Sequence, residues 1–204
     1  IRVRNIEEAL AYFTDTPIGT DEGEIDVPQD YTGTMKKVSG SLCNRALSWH
    51  ERVSLTRDED INKSEEFILN INKSMDSMDY YSAASYCFSL CVLLRKANLK
   101  EIEEKNPSQL AKIYAATEKA INDFDKSLES INLTTLAELE TYIIVKERLL
   151  EAQESLYAGE QNTSSGDLAY AIERYYSGIY WSNFFNIKGE GMKLDKEYLK
   201  QACY

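Results

Sequence analysis

Arg45 and His50, in the run RALSWH, are a pair whose types could do acid-base and anion-binding chemistry. An imidazole passes protons near neutral pH, and a guanidinium holds a phosphate through its planar fork of N–H groups. His50 is the single histidine of the chain. Positions five apart on a helix point about 140° apart, so the two side chains diverge. The plain alternative is a surface arginine and a half-buried histidine. A second constellation is aromatic: Tyr170, Tyr175, Tyr176, Tyr180, Trp181, Phe184 and Phe185. Helical spacing puts Tyr170, Tyr180, Trp181, Phe184 and Phe185 on one face, which reads as core. Tyr175 and Tyr176 fall elsewhere. They either pack on a second neighbour or form a recognition surface, where rigid rings bury area at low entropic cost. Tyr80 and Tyr81 occupy a similar place earlier in the chain. These four tyrosines are the candidate binding residues, and their partner would be a protein or a peptide.

Other chemistry has weaker support. Cys43, Cys87, Cys91 and Cys203 form no CxxC pair, and with one histidine a zinc site is hard to assemble. Cys87 and Cys91 lie one helical turn apart and read as two small buried residues. An even count of cysteines permits disulfides without demanding them. The carboxylates at 58–60, 65–66 and 101–104 read as solvated helix faces and turns. There is no glycine-rich phosphate loop, and no Ser-Lys, Ser-His-Asp or Cys-His arrangement follows from spacing. No catalytic residue, cofactor or metal is expected. Asn-x-Ser/Thr sequons stand at Asn62, Asn72, Asn132 and Asn162, which fits an extracytoplasmic protein.

These residues sit in a chain of 204 with 43% hydrophobic content, enough for one sizeable core. Its net charge is −11, with 34 acidic against 23 basic residues. Proteins that bind nucleic acid neutralise phosphates with Lys and Arg, so nucleic acid is not an expected partner, nor is an anionic membrane surface. The longest apolar run, CFSLCVLL at 87–94, is far short of the roughly 18–20 residues that span a bilayer. Any membrane attachment would come from segments outside this chain.

The apolar periodicity predicts an all-α domain over 35–204. Its helices are expected at about 35–56, 61–76, 79–98, 108–130, 134–158 and 166–186, with a short seventh from 194 to the end. They would form antiparallel hairpins, in a bundle or a short repeat array. Residues 15–34, with Pro17, Pro28, Gly19, Gly23 and Gly33, read as a linker. Residues 1–14 alternate as a short strand and then turn helical at IEEALAYF. No strand signal follows residue 10. A faint echo relates DYYSAASYCFS at 79–89 to DLAYAIERYYS at 167–177. Both have Asp first, Ala four residues on, an aromatic nine on and Ser ten on, as in a helix-hairpin repeat.

Two family resemblances follow from these stretches. Arg45-x4-His50, beside an aromatic-alanine helix, resembles the pattern of the HEPN helical ribonucleases, which would make the chain an RNA-cleaving enzyme. IRVRNIEEALAYFT resembles the closing strand and helix of a Lon-type proteolytic domain. The segment from LETYIIVKERLLEAQ through SGIYWSNFF is similar to the C-terminal helical region of archaeal Lon-like serine proteases. That second resemblance covers nearly the whole chain. It implies that residues 1–14 are the remnant of a preceding protease domain, whose catalytic Ser and Lys lie upstream. The helical domain would then be non-catalytic, serving substrate positioning, self-association or membrane-proximal tethering. It implies a parent protein that is extracytoplasmic or membrane-associated. A free-standing helical-repeat adaptor, which could be cytoplasmic, is the competing expectation.

Overall fold

The computed structural model describes residues 29–162, 164–186 and 193. Among the described residues there are six α-helices: α1 (Gln29–His50), α2 (Asp58–Asp76), α3 (Tyr80–Lys105), α4 (Pro107–Leu128), α5 (Leu136–Asn162) and α6 (Ser165–Trp181). A short 3₁₀ turn, Ser182–Asn186, follows α6. The fold is all-α, and among the described residues there is no strand. One isolated antiparallel bridge pairs Thr135 with Lys193.

The starts have local causes. Asp79 caps α3 by accepting from the Ser82 backbone N–H at 3.1 Å. Ser164 caps α6 by accepting from the Asp167 N–H at 3.2 Å. Thr135 and Glu138 make a reciprocal capping box at α5, with the Glu138 N–H on Thr135 Oγ1 at 3.2 Å and the Thr135 N–H on Glu138 Oε2 at 3.0 Å. Pro107 opens α4, where a missing N–H costs nothing. The end of α2 is a Schellman turn: Asp79 N–H donates to Ser74 O and Met78 N–H to Met75 O. The left-handed position of that turn, usually a glycine, is held by Met78 at φ 57°.

The helices bury two apolar clusters. Met35, Val38, Leu42 and Ala46 of α1 meet Ile71 of α2 and Cys87, Leu90 and Leu94 of α3. The second joins Leu99, at the far end of α3, to Leu110 and Ile121 of α4, Val145, Leu149 and Leu156 of α5, and Leu168 and Ile172 of α6. Trp181 packs against both clusters. Helices α2 and α3 pack side by side across a three-residue connection, as do α5 and α6 across residues 163–164, so each pair is an antiparallel hairpin. Helices α3 and α6 pack on each other and join the halves. Where α5 passes the start of α6, Gly159 allows the approach: a Cβ there would lie 2.8 Å from the Tyr114 hydroxyl and 3.3 Å from the Leu168 backbone nitrogen.

Several expectations need correction. The first helix begins at Gln29, inside the expected linker, and ends at His50 instead of 56. Composition misled there: Thr34 and Met35 are buried, and tertiary packing overrides the poor propensity of the Thr-Gly-Thr run. Helix α3 continues past residue 98 to Lys105, carried by fully buried Leu99 and an exposed Glu101–Lys105 ion pair one turn apart. Helix α5 runs to Asn162 and α6 stops at Trp181. Cys87 is not a free thiol but is bonded to Cys43, joining α3 to α1 with the two Cα atoms 4.9 Å apart. Cys91 is free and buried. The strand-helix remnant at 1–14, residues 15–28 of the linker, Cys203 and the helix from 194 lie outside the described residues.

Candidate functional site

The Arg-x4-His motif does not assemble. The Arg45 guanidinium turns inward and donates from Nε and Nη2 to the carboxylate of Glu173 on α6, at 2.7 and 3.1 Å. His50 is exposed in the last turn of α1. The expected burial is thus reversed, with the arginine largely covered and the histidine in solvent. Arg95 of α3 donates from Nε to the same carboxylate at 2.8 Å. Glu173 is 1% exposed, so one buried acid ties together α1, α3 and α6. Burial opposes the charge on Arg45, but the hydrogen bond and charge of Glu173 prevail and hold its pKa above the ordinary value. Burial, and then the Glu173 charge, push the nearby Cys91 thiol up, so it stays protonated and unreactive.

Of the four tyrosines, Tyr81 alone is exposed and the other three are half-buried. Tyr80 is half-buried, with Lys36 Nζ 6.0 Å from its ring centre. Tyr81, one residue on, is 57% exposed. Tyr175 is half-buried, edge-on to Phe124 at 6.1 Å. Tyr176 lies under the Arg45 guanidinium at 3.5 Å and beside Tyr175 at 5.3 Å. The alanines of the internal echo, Ala83 and Ala171, are both fully buried. The echoed aspartates differ in role, since Asp79 is a cap and Asp167 lies inside α6.

Tyr81 instead lines a groove of about 350 Å³ between α1, α3, α5 and α6. Its apolar walls are Leu42, Phe88 and Trp181, and Ser85, Ser89 and Ser177 supply hydroxyls. Arg148 and Arg174 complete it. Both face one carboxylate: Arg148 Nη1 is 3.3 Å and Arg174 Nε 2.5 Å from Glu151 Oε2. The Arg174 contact is close but poorly aligned, and the buried Nε atoms of Arg148 and Arg174 have no hydrogen-bond partner. Arg174 also lies 4.8 Å over the Phe88 ring. A different depression, of about 280 Å³, is lined by Arg57 and Asp60, which neutralise each other.

The outer face of α5 is the other unusual surface. Leu136, Ile143, Leu150 and Tyr157 recur every seven residues and are 41–66% exposed. Val145, Leu149, Ala152 and Leu156 on the opposite face are buried. Glu140, Glu147 and Glu154, each four residues after a stripe member, are exposed alongside it. Near its end, a depression of about 200 Å³ between α4 and α5 contains Tyr157 with Glu118 and Glu160.

Asn62 and Asn72 are exposed on α2, although the serines of their sequons, Ser64 and Ser74, are buried. Asn132 is exposed in the connection between α4 and α5, and the Asn162 side chain lies outside the described residues. Among the described residues no cluster of His, Cys, Asp and Glu is arranged to hold a metal ion. No protein-family model, no curated protein and no solved structure matches this chain.

Proposed function

We propose that this chain is a non-catalytic helical domain that holds a protein partner, and that it serves as the C-terminal accessory domain of an archaeal Lon-like serine protease. The observation that carries the binding role is the apolar stripe on α5. Four large side chains at heptad spacing, on the face opposite the core, suit a partner helix laid along them. The acid flank selects the partner's chemistry. Glu140, Glu147 and Glu154 favour an amphipathic helix carrying Lys or Arg beside its apolar face. A second copy would set the same glutamates against each other, so substrate or partner positioning is favoured over self-association. The protease connection draws its support from the similarity of 1–14 and of the α5–α6 segment to that family.

A disulfide between α1 and α3, together with the exposed sequon at Asn132, supports an extracytoplasmic setting for the parent protein. Disulfides also occur inside the cells of hyperthermophilic archaea, and a free-standing cytoplasmic adaptor is the second reading, favoured by the matching buried alanines of α3 and α6. Among the described residues no helix is long and apolar enough to cross a membrane.

Two measurements test the proposal. A photo-crosslinking residue at Leu150 in source cells should capture a Lys- or Arg-rich helical segment of another protein. Capture of an acidic segment, or of this chain itself, would overturn the partner assignment. An immunoblot of a cell extract should show a band larger by a domain of about 200 residues. A band near 23 kDa would replace the protease domain with the adaptor.

A further inference from the structure

We propose that the groove between α1, α3, α5 and α6 is a binding site for a free carboxylate on an apolar body, of the kind found at the C-terminal residue of a peptide. The site is separate from the α5 stripe and does not depend on it. Its charge is the first observation. Two guanidinium groups, Arg148 and Arg174, share the single carboxylate of Glu151, leaving a local positive surplus in a chain of net charge −11. Both side chains are largely covered, and their buried Nε atoms have no hydrogen-bond partner, so an anion in the groove would supply the acceptor that Glu151 alone does not. The planar guanidinium fork suits a carboxylate through paired N–H bonds.

The polar wall has the opposite bias. Ser85 Oγ donates to the Tyr81 carbonyl at 3.1 Å, and Ser89 Oγ donates to the Ser85 carbonyl at 3.0 Å. Their hydroxyl protons are committed, so each oxygen offers lone pairs toward a donor. A peptide terminus presents that combination: a carboxylate to accept from the arginines and an amide N–H to donate to a serine. The apolar remainder would lie on Phe88 and Trp181, which line the same groove. A volume of about 350 Å³ is at the small end of ligand sites and suits one or two residues rather than a long segment.

The test uses the whole chain and three probes, read by the NMR shift of the Trp181 indole N–H. N-acetyl-phenylalanine carries the carboxylate, its amide lacks the charge, and inorganic phosphate lacks the apolar body. The acid should bind at least about tenfold more tightly than the amide or phosphate. Arg174→Gln and, independently, Arg148→Gln should weaken the acid by a similar factor, with native melting temperature checked for each. Ile143→Glu, on the α5 stripe, should leave acid binding unchanged while abolishing partner capture by the crosslinker at position 150, so the two proposals fail separately. Equal binding of acid and amide, phosphate binding as tight as the acid, or no shift with any probe would each overturn the assignment. The comparison of acid with amide is made on the unsubstituted protein, so it holds even if an arginine variant fails to fold.

Discussion

Arg45 and Glu173, 128 positions apart in sequence, meet in a bidentate ion pair with N–O distances of 2.7 and 3.1 Å. The acid is 1% exposed, and Arg95 joins it from a third helix. Glu173→Gln would leave two covered guanidinium groups without their anion. The expected loss is about 3–5 kcal/mol, measured by chemical denaturation. Asp60→Asn, which breaks the exposed Arg57–Asp60 pair, should cost less than about 1 kcal/mol. Equal losses would show that burial does not distinguish the two pairs.

Leu149 and Leu150 are neighbours in sequence with opposite surroundings, at 1% and 55% exposure. Leu149→Ala should destabilise by about 2–5 kcal/mol through lost burial and a cavity. Leu150→Ala should change stability by no more than about 0.5 kcal/mol in the isolated chain. If both were costly, the α5 stripe would be covered within this chain.

Met78 holds a left-handed turn that a glycine adopts without steric cost. Met78→Gly should therefore stabilise the protein by about 0.5–1 kcal/mol, the relief of side-chain crowding less the greater entropy of an unfolded glycine. A lower melting temperature in the variant would contradict the turn geometry.

Acid below the ordinary carboxylate range should loosen the starts of α3 and α5. The Ser82 hydroxyl and backbone N–H hold the Asp79 carboxyl below its ordinary value, and the Thr134 backbone N–H does so for Glu138. Because both folded values are depressed, their contribution is complete above the ordinary carboxylate range and is lost as pH falls through the folded values. Asp79→Ala should flatten the acid limb of the stability profile while leaving its slope near neutrality unchanged. Hydrogen exchange at Ser82 and Ala83 would report the same loss locally.

Much of the fold was legible because its signals are local. Asp79, the Thr135–Glu138 box and Pro107 mark helix starts within a few residues, and the alternation of core leucines marks the helices themselves. What was hidden depends on distance. Nothing near Glu173 in YAIERYY tells which arginines it meets, since they come from positions 45 and 95. Its one local signal is an acid that falls on the same face as Ala169 and Ile172, the apolar side of its helix. Four cysteines allow three complete pairings, and spacing chooses none of them. The α5 stripe was hidden for another reason. Apolar residues occupy two opposite faces of that helix, so the one-sided periodicity that marks an amphipathic helix cancels. The arginine groove was equally invisible, because its walls come from four helices.

The bond between Cys43 and Cys87 closes a covalent ring that contains the whole of α2 and the exposed 51–57 connection. A proteolytic nick in that connection would open the ring without releasing either piece. On a non-reducing gel the nicked chain would keep its full mass, and reduction alone would disclose the cut. The domain would thereby keep its two halves tethered through a cleavage that would sever an unbridged chain.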